Sequence, residues 1–506
     1  MTTQHLILAH DLGTTGNKAS LFDVNGATVA STFASYPTDY PYPNWAEQNP
    51  ADWQAAIFGA TRDLLAMAGV SPAQVAVVSF SGHMQGALVV DKNGVPLRPA
   101  IIWADQRATA QANLLADTLG ADQIYRLTGN RVSPAYTAAK LRWIQDNQPQ
   151  IYRRIYKVLQ AKDYAAFLFC GQFATDYSDA SLTQLLNLEQ QQWSPEILGA
   201  LQISVDLLPA LQPSATVIGQ VTPQAAQTTG LLAGTPVVIG AGDGGCASVG
   251  AGAVAEGDIY NYIGSSSWLA LTTARPVFDP AQRTFNFIHP DPQFYCPLGT
   301  MQAAGGAYDW LERLFRADGS AAPQHKELDD AAARVAPGAN GLLFLPYLLG
   351  ERSPYWNPQA RAAFLGLAMP DSQAQMARVA LEGVAFNLRI ILDSLRGQGV
   401  QAQHIRLIGG GSKSPVWRQI LADVYNLPLA LVSLPAAATG LGAAIAGGVG
   451  VGLFADYGVV RQLVPATLAE TPNPATRARY EALYELFKQS YAALEPIYRQ
   501  LANLPD

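Results

Sequence analysis

The sequence predicts an α/β fold built in duplicate, with two domains closing on one phosphate chain. Three observations carry that reading. Near the start, residues 6–9 and 19–22 are short apolar runs of the kind buried strands need, joined by a turn of Gly13, Thr14, Thr15 and Gly16. Residues 259–272 repeat the plan half a chain later, with Gly264, Ser265, Ser266 and Ser267 in the turn. Finally, 506 residues exceed the roughly 250–300 that a single hydrophobic core supports.

The turns suit phosphate because glycine lets an anion approach the backbone, successive N–H groups form an anion-binding concavity, and hydroxyls add donors. Asp11, at the end of the first strand, is the carboxylate placed to hold Mg2+, directly or through water. A plain hairpin with a polar turn competes for the first stretch alone, and a coincidental pair of hairpins for the two together.

Composition narrows the class. With 49% hydrophobic and 14% charged residues the chain can fill large cores. A net charge of −7 argues against nucleic acid, whose partners carry a basic face. Cys170, Cys246 and Cys296 are far apart, which fits a reducing compartment and excludes a disulfide scaffold or cysteine-rich zinc site. The start has neither the basic residues nor the apolar core of a secretory signal, and no apolar run has the length of a membrane span. A soluble cytoplasmic protein is expected, with a homodimer admitted as its assembly.

In chain order, residues 51–68 read as a helix and residues 75–80 as a buried strand running into Ser81-Gly-His-Met-Gln-Gly86. Open α/β sheets place ligands at carboxyl ends of strands, so His83 and Gln85 are candidate substrate contacts; a turn histidine capping backbone groups is the alternative. Trp103, Asp105 and Arg107 suit a polyol, as an aromatic wall with hydroxyl-directed groups, unless they are a solvated charge pair at a helix start. Residues 108–200 read as mostly helical, with Trp143 in a core. Residues 235–239 form a strand leading to Asp243, a carboxylate flanked by glycines and bare of neighbours. That suits a general base within reach of a substrate hydroxyl; an N-cap for the following helix is the other reading. Residues 301–310 open a glycine-bearing helix, residues 373–396 an amphipathic one. A strand at 405–408 enters Gly409, Gly410 and Gly411, a place for adenine and ribose against backbone. Residues 439–446 are a small-residue helix closing the second core, and the tail, 470–502, reads as polar, helical and peripheral.

Seven motifs in order, Asp11-Leu-Gly-Thr-Thr, Trp103-x-Asp105-x-Arg107, Thr137-x-x-Lys140-x-x-Trp143, Gly242-Asp243-Gly, Ile263-Gly-Ser-Ser, Leu345-Pro-Tyr-x-x-Gly-Glu-Arg352-Ser-Pro and Gly409-Gly-Gly-Ser-x-Ser-x-x-Trp417, resemble those of the FGGY carbohydrate kinases, and among them most closely the xylulokinases. The resemblance spans about residues 5–450. It implies an actin-like, ribonuclease-H-like fold duplicated into domains 1–252 and 253–506, with ATP and sugar in the cleft between. It implies Asp243 as the base, and Asp11 with Asp243 at Mg2+. Thr14, Thr15, Lys18, Gly264, Ser265, Ser266, Gly305, Gly409, Gly410 and Ser414 would hold nucleotide and phosphates. Met84, Gln85, Trp103, Asp105 and Asp243 would hold the sugar. The chain departs from the xylulokinase pattern where His83-Met-Gln-Gly86 replaces Gln-Met-His-Gly, where Gly264-Ser-Ser-Ser267 replaces Gly-Thr-Ser-Gly, and where Gly244 follows Asp243 in place of asparagine. His10 stands where an apolar residue is usual.

The expected activity is ATP-dependent phosphorylation of D-xylulose at O5, with gluconate or another ketose or polyol as the same-family alternative. An actin-like ATPase module and a dinucleotide oxidoreductase are the rivals; the second lacks its G-x-G-x-x-G fingerprint.

Overall fold

The computed structural model describes residues 5–315, 325–397, 399, 402–432 and 438–504; residues 1–4, on which the reading of the amino terminus partly rests, lie outside them. Two seven-stranded sheets organise the chain. In the first, Leu6–Leu12 lies between its hairpin partner Gly16–Asp23, antiparallel, and Val75–Gly82, parallel. In the second, Ile259–Ile263 lies between Ser267–Leu271, antiparallel, and Ile405–Ile408, parallel. The predicted duplication is therefore present strand for strand around both turns.

Side-chain alternation explains why the first strand is apolar almost throughout. Leu6, Leu8 and Leu12 face a core with Trp53, Ile57 and Leu64 of helix Pro50–Ala68, while Ile7 and Ala9 face a second core with Leu441 and Ile445. Asn49 caps that first helix, Pro50 opens it and Gly69, at φ 62°, ends it in the left-handed conformation.

Two expectations are corrected. The small-residue helix, Ala438–Gly450, does not only close the second core: it packs on the first sheet and crosses helix Asp243–Gly250 at the centre of the molecule. Glycines permit the crossing, since a Cβ on Gly442 would lie 2.0 Å from the Cys246 carbonyl and one on Gly250 1.9 Å from that of Ala438. The tail is not peripheral, because helix Arg477–Leu501 buries Tyr480, Leu483, Tyr484, Phe487 and Tyr491 along one stripe of the second core. Helix Gln373–Arg396 is buried without a break from Ala377 to Leu388. Its Arg378 pairs with Glu382 at 2.7 Å, and both bond to the Tyr480 hydroxyl. Short strands, Lys157–Leu159 and Ala174–Asp176 among them, interrupt the helices expected over 108–200, and Trp143 is buried. No helix among the described residues is long and apolar enough to cross a membrane.

Candidate active site

Three strands of the first sheet end side by side, and their ends carry the chemistry. Asp11 stands opposite Ser81, and Gly242 opposite Gly82. Asp243 follows as the first residue of helix Asp243–Gly250, so the N-cap is Gly242 and not the aspartate. The Asp243 carboxylate accepts the Gly244 N–H at 2.7 Å and remains partly exposed. Burial, with the Asp11 charge adding to it, pushes Asp243 up to about 7. Burial also raises Asp11, against the Thr439 hydroxyl that donates to its carboxylate from the second half of the chain and Lys18, which faces it across the hairpin. Two neighbouring oxygen donors whose charges oppose each other fit a hard divalent cation.

The first turn is held by its surroundings. Gly13 N–H bonds Gly16 O, Tyr36 donates to Gly13 O at 2.6 Å, and Gln48 donates to Thr14 O at 2.7 Å. The Trp103 indole N–H donates to the Thr14 hydroxyl at 2.9 Å, which joins the expected aromatic wall to the expected phosphate turn. The second turn is fastened by a helix start: Gly305 N–H bonds Gly264 O and Gly306 N–H bonds Ser265 O. Beside it opens a cavity of about 680 Å³ lined by Gly264, Ser265, Gly305, Gly410 and Ser414 among others. A second cavity of about 310 Å³, lined by Gly409, Gly410, Trp268 and Thr439, shares Gly410 and Lys413 with it, so the two form one cleft leading toward Asp11. Ser266 lines neither and gives its carbonyl to Gly264 N–H. Ser414 caps helix Pro415–Tyr425 by accepting the Trp417 N–H.

Gly409 sits at φ 91°, and a Cβ there would lie 2.4 Å from the Ile263 carbonyl. Gly409→Ala is therefore expected to destabilise the fold by about 3 kcal/mol and to deform the cleft floor. Thermal unfolding with and without ADP checks this: the variant should melt lower and lose the upward shift that ADP gives the unaltered protein.

On the sugar side the expected residues divide. Met84 packs against Gly242, where a Cβ would touch its Cε at 2.6 Å. Gln85 is nearly buried at φ 67°, a conformation uncommon outside glycine, and its side-chain amide bonds no described residue. Buried Lys140 fixes that turn from behind, donating to the Gln85 and Ile102 carbonyls at 2.9 and 2.8 Å. His83 is buried against the Trp53 ring, its nitrogens unbonded, and burial with the nearby Lys140 charge lowers it to about 4. Asp105, expected at the sugar, has no exposed surface. Its oxygens accept from Arg107 and from Ala46 N–H, and Arg107 lies 3.6 Å from the Trp45 ring centroid while also bonding Glu47. The pair is neither solvated nor free for a ligand; it anchors the loop that presents Trp103. His10, which had no account, is a core residue: it bonds Asn17 and Thr61 and stacks on Phe80.

The cleft is also lined by residues that sequence reasoning did not single out, Tyr308 and Lys413 in the larger cavity and Trp268 and Thr439 in the smaller. Lys413 carried a signal, a cation between a glycine run and a helix cap, as the P-loop lysine does. Thr439 carried none, because its partner Asp11 lies in the other half of the chain.

Comparison with known proteins gives the family. The N-terminal domain of the FGGY family of carbohydrate kinases matches residues 6–250 and the family's C-terminal domain residues 259–451. The chain is 33% identical to xylulose kinase of Escherichia coli over 487 residues, 96% of this chain and 99% of that one. It is 31% identical to gluconokinase of Bacillus subtilis over 504 residues, 98% of each. Ligand-bound xylulose kinase from Lactobacillus acidophilus superposes with a TM-score of 0.92 at 28% identity, over 98% of this chain and 100% of that structure.

Proposed function

The chain belongs to the FGGY family of carbohydrate kinases, with the two-domain, actin-like fold of such sugar kinases, and from that premise we propose that it transfers the γ-phosphoryl group of ATP to O5 of D-xylulose. The first domain, residues 1–252, supplies the sugar side and the second, 253–506, the nucleotide side. We place the enzyme in the cytoplasm, in keeping with three free cysteines that are all buried. The observation that carries the mechanism is the placement of Asp243, partly exposed at the start of its helix, directly after the strand end that pairs with Gly82 and flanked by glycines.

Asp243 accepts the hydroxyl proton while the sugar oxygen attacks the γ-phosphorus in line; the bond from that phosphorus to the bridging oxygen breaks and ADP leaves. Asp11 and Asp243 are the groups that would hold Mg2+, which when bound neutralises charge on the phosphates. Thr14, Thr15, Lys18, Ser265 and Ser266 hold the phosphates, and Gly305, Gly409, Gly410 and Ser414 the nucleotide, while Met84, Gln85 and Trp103 orient the sugar. Asp105 acts through Trp103 and not on the sugar.

Gluconate is the second reading, favoured by gluconokinase relatives of similar identity. ADP release with ATP, Mg2+ and a panel of D-xylulose, other ketoses, gluconate and glycerol tests both. D-xylulose should give the highest kcat/KM. A higher value for gluconate would move the substrate and leave the mechanism, whereas sugar-independent release would favour an ATPase module.

A further inference from the structure

Behind Asp243 lies a buried polar chain that phosphoryl transfer does not use directly. Lys162 has no exposed surface, yet its ammonium faces three carboxylates: Asp163 at 2.7 Å, Asp176 at 2.9 Å and Asp179 at 3.5 Å. The other oxygen of Asp176 accepts three bonds, from Ser178 N–H at 2.9 Å, the Ser178 hydroxyl at 2.6 Å and the Ser214 hydroxyl at 2.7 Å. With its proton committed to Asp176, the Ser178 oxygen accepts the N–H of Gly242 at 3.0 Å. Gly242 is the residue before Asp243, so the chain ends on the peptide that sets where the carboxylate stands.

The same cluster touches the other parts of the site. Lys162 packs against Gly82, where a Cβ would lie 3.0 Å from its backbone, directly before the His83-Met84-Gln85 turn. The short helix Tyr177–Ser181 reaches the second sheet, where the Ser181 hydroxyl accepts the Ile288 N–H at 3.1 Å. Such an arrangement is costly unless every member is satisfied, since a buried cation and buried carboxylates lose their hydration. Asp176 also caps the helix Tyr177–Ser181, so the same carboxylate fixes the helix and the serine that holds Gly242.

We propose that Lys162, Asp176 and Ser178 are positioning residues that hold the Gly242–Asp243 peptide, and through it the general base, in line with the accepting hydroxyl. The proposal rests on the assignment of Asp243 as base. Small displacements at a reacting centre cost rate rather than binding, on the order of 100-fold for about 1 Å.

The test compares Ser178→Ala, Ser178→Thr and Asp243→Asn in full-length protein, by steady-state kinetics on the preferred panel sugar and by thermal unfolding. Ser178→Ala removes only the hydroxyl. It should lower kcat on the order of 100-fold with KM for sugar and ATP changed less than about threefold. Ser178→Thr, which keeps the hydroxyl, should recover most of kcat. If Asp243→Asn is inactive while folded Ser178→Ala keeps its kcat, the positioning role is overturned and the base assignment stands. Retained transfer in Asp243→Asn would overturn the base assignment and this proposal with it. Loss of kcat in Ser178→Ala matched by an equal rise in both KM values, or shared by Ser178→Thr, would mark the chain as structural only and overturn the proposal too.

Discussion

Asp243→Asn should abolish sugar phosphorylation and yet give a protein that unfolds at a higher temperature. The activity loss follows from removing the proposed proton acceptor, a contribution of about 100- to 10,000-fold in known general-base sites. The stability gain follows from the same burial that makes the base useful. Between the ordinary value of 3.8 and about 7, the folded protein holds a proton on Asp243 that the unfolded chain releases. Stability therefore falls as pH rises through that window, and is fully present only below the unfolded value. Asparagine removes the penalty, so the variant's advantage should be larger at pH 8 than at pH 5. Thermal unfolding at both values, without metal or nucleotide, checks the sign. Nucleotide affinity should survive, because Asp243 does not line the large cavity beside the second turn.

Gly442→Ala should be severely damaging although the residue lines neither cavity. A methyl group there meets the backbone of Cys246 at 2.0–2.7 Å, and backbone cannot swing aside as a side chain can. The helices would have to part, at a cost of about 3 kcal/mol or more. They are also the mounts of the site: one begins at Asp243 and the other carries Thr439, which bonds Asp11. Loss of stability and loss of kcat should therefore come together, with nucleotide affinity affected less. Denaturant unfolding and kinetics on one preparation test this; an alanine variant as stable as the parent would mean that the two helices are not rigidly packed.

What the sequence made legible was structure written locally. A glycine-and-hydroxyl turn between two apolar runs says strand, turn, strand without help from elsewhere, and the place of Asp243 at a strand end among glycines was legible for the same reason. Trp103 and Asp105 mark the limit. The motif placed both at the sugar, but whether a carboxylate two residues from an arginine faces ligand or core depends on Trp45, Ala46 and Glu47, more than fifty residues away. The tail was misread because its apolar stripe of tyrosines looks polar by composition, although its spacing is that of a buried helix face. The Asp11–Thr439 bond and the relay from Lys162 to Gly242 were illegible, since each joins residues that only the finished fold brings together.

The most direct test of the central claim is ADP release by the parent protein and Asp243→Asn in one assay, with ATP, Mg2+ and the best panel sugar, with and without the sugar. The account predicts sugar-dependent release by the parent, and none above background by a variant that still binds ATP. Comparable turnover by the variant, or release by the parent that ignores the sugar, would contradict it.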